Sequence, residues 1–151
     1  MRWGMRFFGR FNQTLDSKGR LSIPAPLRDK LSADGAGRLV LTCTDRCLEI
    51  HTATDWDKLL RKFDRLPQMR EDVELFGLFY ISSATEIAPD KQGRVLVPQT
   101  LRDQVGLKKE IVVVGNKNRI QIFSAEMWDA VAKEAHRRFS EIRNLLSEDL
   151  S

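Results

Sequence analysis

No apolar run in the 151-residue chain approaches the roughly 20 residues a membrane helix needs, so no spanning helix is expected. The start, Met1-Arg2-Trp3-Gly4-Met5-Arg6-Phe7-Phe8, has neither a long apolar stretch nor cleavage-type small residues. A signal peptide is therefore not expected, and a cytoplasmic place is. Cysteine and histidine are scarce, with two of each. Cys43, Cys47 and His51 form C-x3-C-x3-H, a spacing that invites zinc, but a closed structural site takes four ligands and only the distant His136 remains. Free thiols are expected instead, with no metal and no cofactor. There is no G-x-S-x-G and no P-loop sequence. An enzyme is not expected, nor a small-molecule substrate. No aromatic pair lies on an evident strand surface, which speaks against stacking of RNA bases.

What is present is an ordinary globular composition, 42% hydrophobic and 30% charged. The net charge of +4 is unevenly placed. Residues 1–31 hold seven basic side chains against two acidic ones, a local +5, so the remaining 120 residues sum to −1. A basic N-terminal module can steer a polyanion; it can also be a plain solvated face.

The chain contains an internal duplication. Residues 16–31, DSKGRLSIPAPLRDKL, match residues 90–105, DKQGRVLVPQTLRDQV, with seven of sixteen positions identical at an offset of 74. The identities are Asp16/Asp90, Gly19/Gly93, Arg20/Arg94, Pro24/Pro98, Leu27/Leu101, Arg28/Arg102 and Asp29/Asp103. At an offset of 72, Leu39-Val40-Leu41 faces Ile111-Val112-Val113, Leu48 and Ile50 face Ile120 and Ile122, and Trp56-Asp57 faces Trp128-Asp129. The change of offset puts two extra residues in the first copy, most simply around Ala33-Asp34-Gly35-Ala36-Gly37. A module of about 60–70 residues buries too little surface to be comfortable alone, so two copies should share one core.

Each copy reads as a strand (about 9–15 and 84–88), a tight turn at Asp-x-x-Gly-Arg, and a second strand, Leu21–Ile23 or Val95–Val97. Glycine supplies the turn's positive φ and Asp accepts from turn amides. Pro24 or Pro98 then opens a short helix, with Leu27 and Leu31, or Leu101 and Val105, on one face. A β-hairpin follows, turning over Gly115–Asn118 in the second copy. Thr52 and Ser124 should N-cap amphipathic helices. Their apolar stripes, Trp56, Leu59, Leu60 and Phe63, and Trp128, Val131, Ala135, Phe139 and Ile142, read as core. A linking helix is expected over about 68–79, and residues 137–151 should be a solvated, fraying tail. The boundaries are module 1 at 10–52, connecting helices at 53–80, module 2 at 81–124, and a C-terminal helix and tail at 125–151.

The two Asp-x-x-Gly-Arg hairpins, each followed by an apolar strand and proline, resemble the SpoVT-AbrB superfamily of swapped-hairpin DNA-binding domains. Tandem copies in a chain of this length look like the MraZ family of bacterial transcriptional regulators. Leu15–Pro24 is close to that family's N-terminal motif, and Asp90–Pro98 is its second copy. One departure is the start, where Met5-Arg6-Phe7-Phe8-Gly9 follows four extra residues in place of an initial Met-Phe-x-Gly. The resemblance implies an α+β, mainly β fold in which two swapped-hairpin modules form one split β-barrel with peripheral amphipathic helices. It also implies ring-like homo-oligomers, nucleoid association, and binding of repeated double-stranded promoter elements, those of the division and cell-wall gene cluster.

Candidate DNA contacts are Lys18, Arg20, Arg10, Lys91 and Arg94, with Asp16, Gly19, Asp90 and Gly93 forming the turns. An Arg fork can bond G O6 and N7 together, whereas Lys18 suits phosphate as a point charge. From the residues alone, Arg20 and Arg94 read equally well as ion pairs with Asp16 and Asp90; the resemblance favours DNA for Arg20. Arg28 and Arg102 read at least as well as plain surface ions. A protein-binding antitoxin-type module and an RNA-binding protein are the alternatives, the first disfavoured by the second barrel half and the short tail.

Overall fold

A computed structural model describes residues 6–33 and 38–151. Residues 1–5, which include the departing start, and 34–37, which hold most of the Gly-rich loop, lie outside the described residues. The strands are β1 (Arg10–Thr14), β2 (Arg20–Ser22), β3 (Leu39–Cys43), β4 (Leu48–Thr52), β5 (Thr85–Ile87), β6 (Arg94–Leu96), β7 (Glu110–Asn116) and β8 (Arg119–Ser124). The helices are α1 (Ala25–Ala33), α2 (Ala53–Asp64), α3 (Glu71–Phe76), α4 (Gln99–Gln104) and α5 (Ala125–Leu146). Each copy thus delivers strand, strand, helix, hairpin and helix in the same order.

The copies do not stand side by side; they interleave. Six strands run in the order β1-β7-β8-β4-β3-β5. The order is palindromic in terms of the repeat. Strand β1 of the first copy pairs with β7 of the second, and β5 of the second pairs with β3 of the first. The hairpins β3–β4 and β7–β8 meet at the centre through β4 and β8. The remaining strands, β2 and β6, form a separate antiparallel ribbon. The fold is therefore mainly β, with two repeated modules exchanged across a pseudo-twofold axis. Among the described residues, β1 and β5 stand at the two ends of this strand order.

The exchange follows from the hydrophobic pattern. Leu21, Ile23, Val95 and Val97 of the ribbon segments are at most 1% exposed, in one core with Leu41, Leu48, Ile50, Val113, Ile120 and Ile122. Neither copy contributes a complete set. Exchange lets each cover the other's apolar faces, which answers the shortage of surface in a half-length module.

Local signals hold where they depend on neighbours in sequence. The Thr52 and Ser124 hydroxyls accept from Asp55 N at 3.1 Å and Met127 N at 3.0 Å, capping α2 and α5. Four expectations are corrected. The second hairpin's strands continue through Gly115 and Asn116, which pairs with Arg119, so the loop is only Lys117-Asn118. The linking helix is α3, and it widens over Gly77–Ile81 into a π-type turn in which Ser82 N bonds Gly77 O at 2.9 Å. Residues 137–146 are not a frayed tail but the second half of α5. The stripe of α5 is core-like only at its start. Val131 packs with Trp128 against Phe123 and Val112, while Ala135 is exposed and Phe139 is 57% exposed. The sheet ends beneath the first turns of the helix, and the rest runs past it. Among the described residues, no helix is long and apolar enough to cross a membrane.

Candidate nucleic-acid interface

The Asp-x-x-Gly-Arg turns are built by one carboxylate each. Asp16 Oδ1 accepts from Lys18 N and Arg20 N, both at 2.9 Å, and Asp90 Oδ1 accepts from Gln92 N and Arg94 N, both at 2.9 Å. Gly19 and Gly93 take φ of 81° and 76°, the left-handed region that glycine enters without strain. The second carboxylate oxygens accept from the arginine Nε atoms, at 2.8 Å for Arg20 and 3.0 Å for Arg94. Donation from the Arg20 backbone, then from its guanidinium and Lys18 N, holds the Asp16 carboxyl below the usual carboxylate range. Asp90 is lowered likewise, first by the Arg94 backbone and then by that of Gln92.

The ion pairs therefore exist, and they do not compete with a binding role. Each uses Nε alone. Among the described residues, the Nη groups of Arg20 and Arg94 make no hydrogen bond, and each side chain is 31% exposed. The carboxylate fixes the side chain while leaving a pair of donors available.

The β2–β6 ribbon decides where those donors sit. Its register is Arg20↔Leu96, Leu21↔Val95 and Ser22↔Arg94. Alternation sends Leu21 and Val95 to the core and puts Arg20, Ser22, Arg94 and Leu96 on the opposite face. Arg20 and Arg94 occupy diagonal positions, about 7–8 Å apart by strand geometry. Lys18 and Lys91 are exposed at the two turn tips. The structure thus brings four of the five basic candidates to one ribbon. Arg10 is not among them. It lies at the far end of β1, with its guanidinium 5.3 Å from the ring centre of Trp128.

Arg28 and Arg102, read from the sequence at least as readily as surface ions, lie against the turns of the opposite copy. Arg28 Nη1 donates to Gln92 O of the other copy at 3.3 Å, whereas Arg102 is held by its own copy, its Nε donating to Val97 O at 3.1 Å, with its guanidinium beside Gly19. A Cβ placed on Gly19 would lie 2.6 Å from Arg102 Cζ, and one on Gly93 would lie 2.1 Å from Arg28 Nη1. Crossed backbone bonds repeat the pattern, Ile23 N to Gly93 O at 3.0 Å and Val97 N to Gly19 O at 2.9 Å. The signal was in the sequence, since both arginines are identities of the repeat. Which turn each one meets was not.

A second polar cluster lies away from the ribbon. Buried Glu49 accepts from Tyr80 OH at 2.5 Å, and His51 Nε2 lies 3.0 Å from the same oxygen. Arg119 Nε stands 3.4 Å from the other oxygen, without hydrogen-bond geometry. Burial raises the Glu49 carboxyl, but His51, Tyr80 and Arg119 outweigh it and the net direction is downward. The cluster has no repeat counterpart, because Gln121 and Phe123 stand opposite Glu49 and His51 at the offset of 72. Cys43 and Cys47 are buried free thiols, and burial pushes Cys47 up to about 11.

Comparison with known proteins matches this organisation. The family described as "MraZ protein, putative antitoxin-like" matches twice, over residues 7–79 and 80–146. A protein of Ligilactobacillus salivarius (strain UCC118) named transcriptional regulator MraZ is 40% identical over 145 residues, 95% of this chain and 99% of its own length. A protein of the same name from Limosilactobacillus reuteri (strain DSM 20016) is 41% identical over 141 residues, 93% of this chain and 97% of its own. Another, from Alkaliphilus metalliredigens (strain QYMF), is 36% identical over 143 residues, 94% and 97% of the two chains.

Proposed function

We propose that this chain, which belongs to the MraZ family, is a transcriptional regulator rather than an enzyme and grips double-stranded DNA with the outer face of its β2–β6 ribbon. The observation that carries the reading is the common face of Arg20 and Arg94, each oriented by its own aspartate with Nη donors to spare. A two-stranded ribbon fits the major groove, where an Arg fork can bond the O6 and N7 of guanine. Leu96, 58% exposed on the same face, can meet a thymine methyl group. Lys18 and Lys91 at the tips suit flanking phosphates. Arg28 and Arg102 keep the tips from shifting when the groove is entered.

One ribbon offers few contacts. A homo-oligomer would present several to successive promoter repeats, each further contact acting at high effective concentration. On this reading the protein works in the cytoplasm at the nucleoid, on repeated elements of the division and cell-wall gene cluster.

The test is selection of bound fragments from random duplex DNA, followed by salt-resolved binding of variants to the selected site, with duplex RNA as competitor. Arg20→Ala should cost about 1–3 kcal/mol for each site engaged, and Lys18→Ala should flatten the salt dependence by roughly 0.9 per lost phosphate contact. If Arg20→Ala binds within twofold of wild type, or RNA competes equally, the ribbon is not a DNA reader.

A further inference from the structure

The repeat supplies an internal comparison for the polar cluster of Glu49, His51, Tyr80 and Arg119. Beside each long helix lies an open cavity, of about 690 Å³ at α2 and about 530 Å³ at α5. The two cavities correspond at the offset of 72. Leu59 in the first stands where Val131 stands in the second, Glu49 where Gln121 stands, His51 where Phe123 stands, and Arg119 where Cys47 stands. The second copy thus covers the same sheet surface with a thiol, an amide and a ring. Packing there does not require charge. The Glu49 and His51 side chains are nonetheless only 8% and 5% exposed, and a buried ion pair adds little stability, because desolvation offsets its Coulombic gain. The fold does not account for these groups, so a role at the cavity must.

The walls are assembled from three places in the chain. Asp55, Lys58, Leu59 and Lys62 recur at helical spacing on one face of α2. Phe76, Phe79 and Tyr80 share one face of α3 and the wide turn Gly77–Ile81, a type of turn that recurs at functional sites. Arg119 enters from the start of β8. The volume is that of a small-molecule site, and the mixture of apolar rings with a few convergent polar groups is that of one as well.

The acids of the wall are largely committed and the bases are not. Glu49 accepts from Tyr80 OH and lies against His51, and Asp55 faces Lys58 Nζ at 3.9 Å. Asp45, on the turn between β3 and β4, is the exception among the acids. Among the described residues, no guanidinium nitrogen of Arg119 makes a hydrogen bond, and its Nε is buried without a partner. Buried donors in native folds are rarely left so. Lys62 Nζ, across the cavity on α2, is likewise without a hydrogen bond or ion pair among those residues. Three acids and three bases line the wall, so attraction must come from these unused donors rather than from net charge. A single negative charge is then admitted more readily than two. An Arg fork matches a carboxylate in shape, and Leu59, Phe76 and Phe79 offer an apolar surface beside it.

We propose that the cavity between α2, the wide turn and Arg119 is a binding site for a small carboxylate with an apolar or aromatic body. The carboxylate takes the Arg119 donors, with Lys62 at the opposite wall, and the body lies against Phe76, Phe79 and Leu59. None of the lining residues belongs to the β2–β6 ribbon, so the site stands or falls separately from the DNA reading.

Ligand-observed saturation-transfer NMR on the full chain tests it, with benzoate and hexanoate as probes and benzamide, phenyl phosphate and inorganic phosphate beside them. Benzoate and hexanoate should both bind and should displace one another. Arg119→Gln should weaken both at least about tenfold, the effect of losing a charge-assisted hydrogen bond. Phe79→Ala, at a side chain 42% exposed, should weaken them with melting unchanged, and Phe139→Ala, outside the cavity, should change nothing. Benzamide binding as well as benzoate would overturn the role of the charge. Phenyl phosphate preferred to benzoate would overturn the carboxylate assignment, and inorganic phosphate competing equally would overturn the apolar half. Probe binding that both Arg119→Gln and Phe79→Ala leave intact lies elsewhere on the protein and refutes this site, as does a failure of every probe to bind.

Discussion

Substituting Gly19 by alanine probes two causes at one atom. The first is the backbone: φ of 81° lies in the left-handed region, which costs an L-residue about 1–2 kcal/mol. The second is Arg102, whose Cζ, Nη2 and Nη1 would sit 2.6, 2.8 and 2.9 Å from the new methyl. The guanidinium is anchored by its Nε bond to Val97 O. Making room breaks that bond, with a net loss of about 0.5–1.5 kcal/mol. Gly19→Ala should therefore destabilise by about 1.5–3.5 kcal/mol, which at about 2–4 °C per kcal/mol for a chain of this size is a fall of roughly 3–14 °C in Tm. The assay is urea unfolding of wild type, Gly19→Ala, Arg102→Ala and the double variant, all at one protein concentration. In the Arg102→Ala background the bond is already gone, so Gly19→Ala should cost only the backbone part. The cycle should show a coupling of about 0.5–1.5 kcal/mol. Additivity within about 0.3 kcal/mol would show that the guanidinium does not occupy that space. A cost below about 0.5 kcal/mol for Gly19→Ala alone would show that the turn tolerates a side chain.

Two further outcomes concern buried groups. Tyr80→Phe removes a donor to the Glu49 carboxylate and should cost about 1.5–3 kcal/mol, with Glu49→Ala costing more, about 3–5. Since the folded Glu49 value lies below the unfolded one of about 4.3, its stabilisation is complete above that pH and is lost as pH falls through the folded value. Tyr80→Phe should shrink this acid loss, and urea midpoints from pH 7 down to 3 that fall as steeply as in wild type would refute the assignment. Cys47, raised to about 11 by burial, should resist iodoacetamide at pH 8 in the native protein and react on denaturation; a native rate equal to that of a free cysteine peptide, read by mass spectrometry, would contradict the burial.

The amino-acid sequence by itself determined what depends on near neighbours. The Asp16 and Asp90 turns, the caps at Thr52 and Ser124 and the proline-led helices are all set within four or five residues, so their chemistry is legible in one dimension. The duplication added the order of elements and pointed to a shared core, because two identical half-cores cannot each be complete. Tertiary structure decided which copy supplies which strand. The pairing of β1 with β7 and of β5 with β3 joins segments about a hundred and about fifty residues apart, and no periodicity encodes a partner. The same holds for Arg28 and Arg102, visible as repeat identities but given a role only by the crossing that brings each under the other copy's turn. It also placed Arg20 and Arg94 on one face, because the register of β2 against β6 sets which side chains are neighbours. Phe139 marks the opposite case. Its spacing is that of a core residue, but a stripe records only that a helix has an apolar face, and where the sheet ends decides whether that face is covered from within the chain.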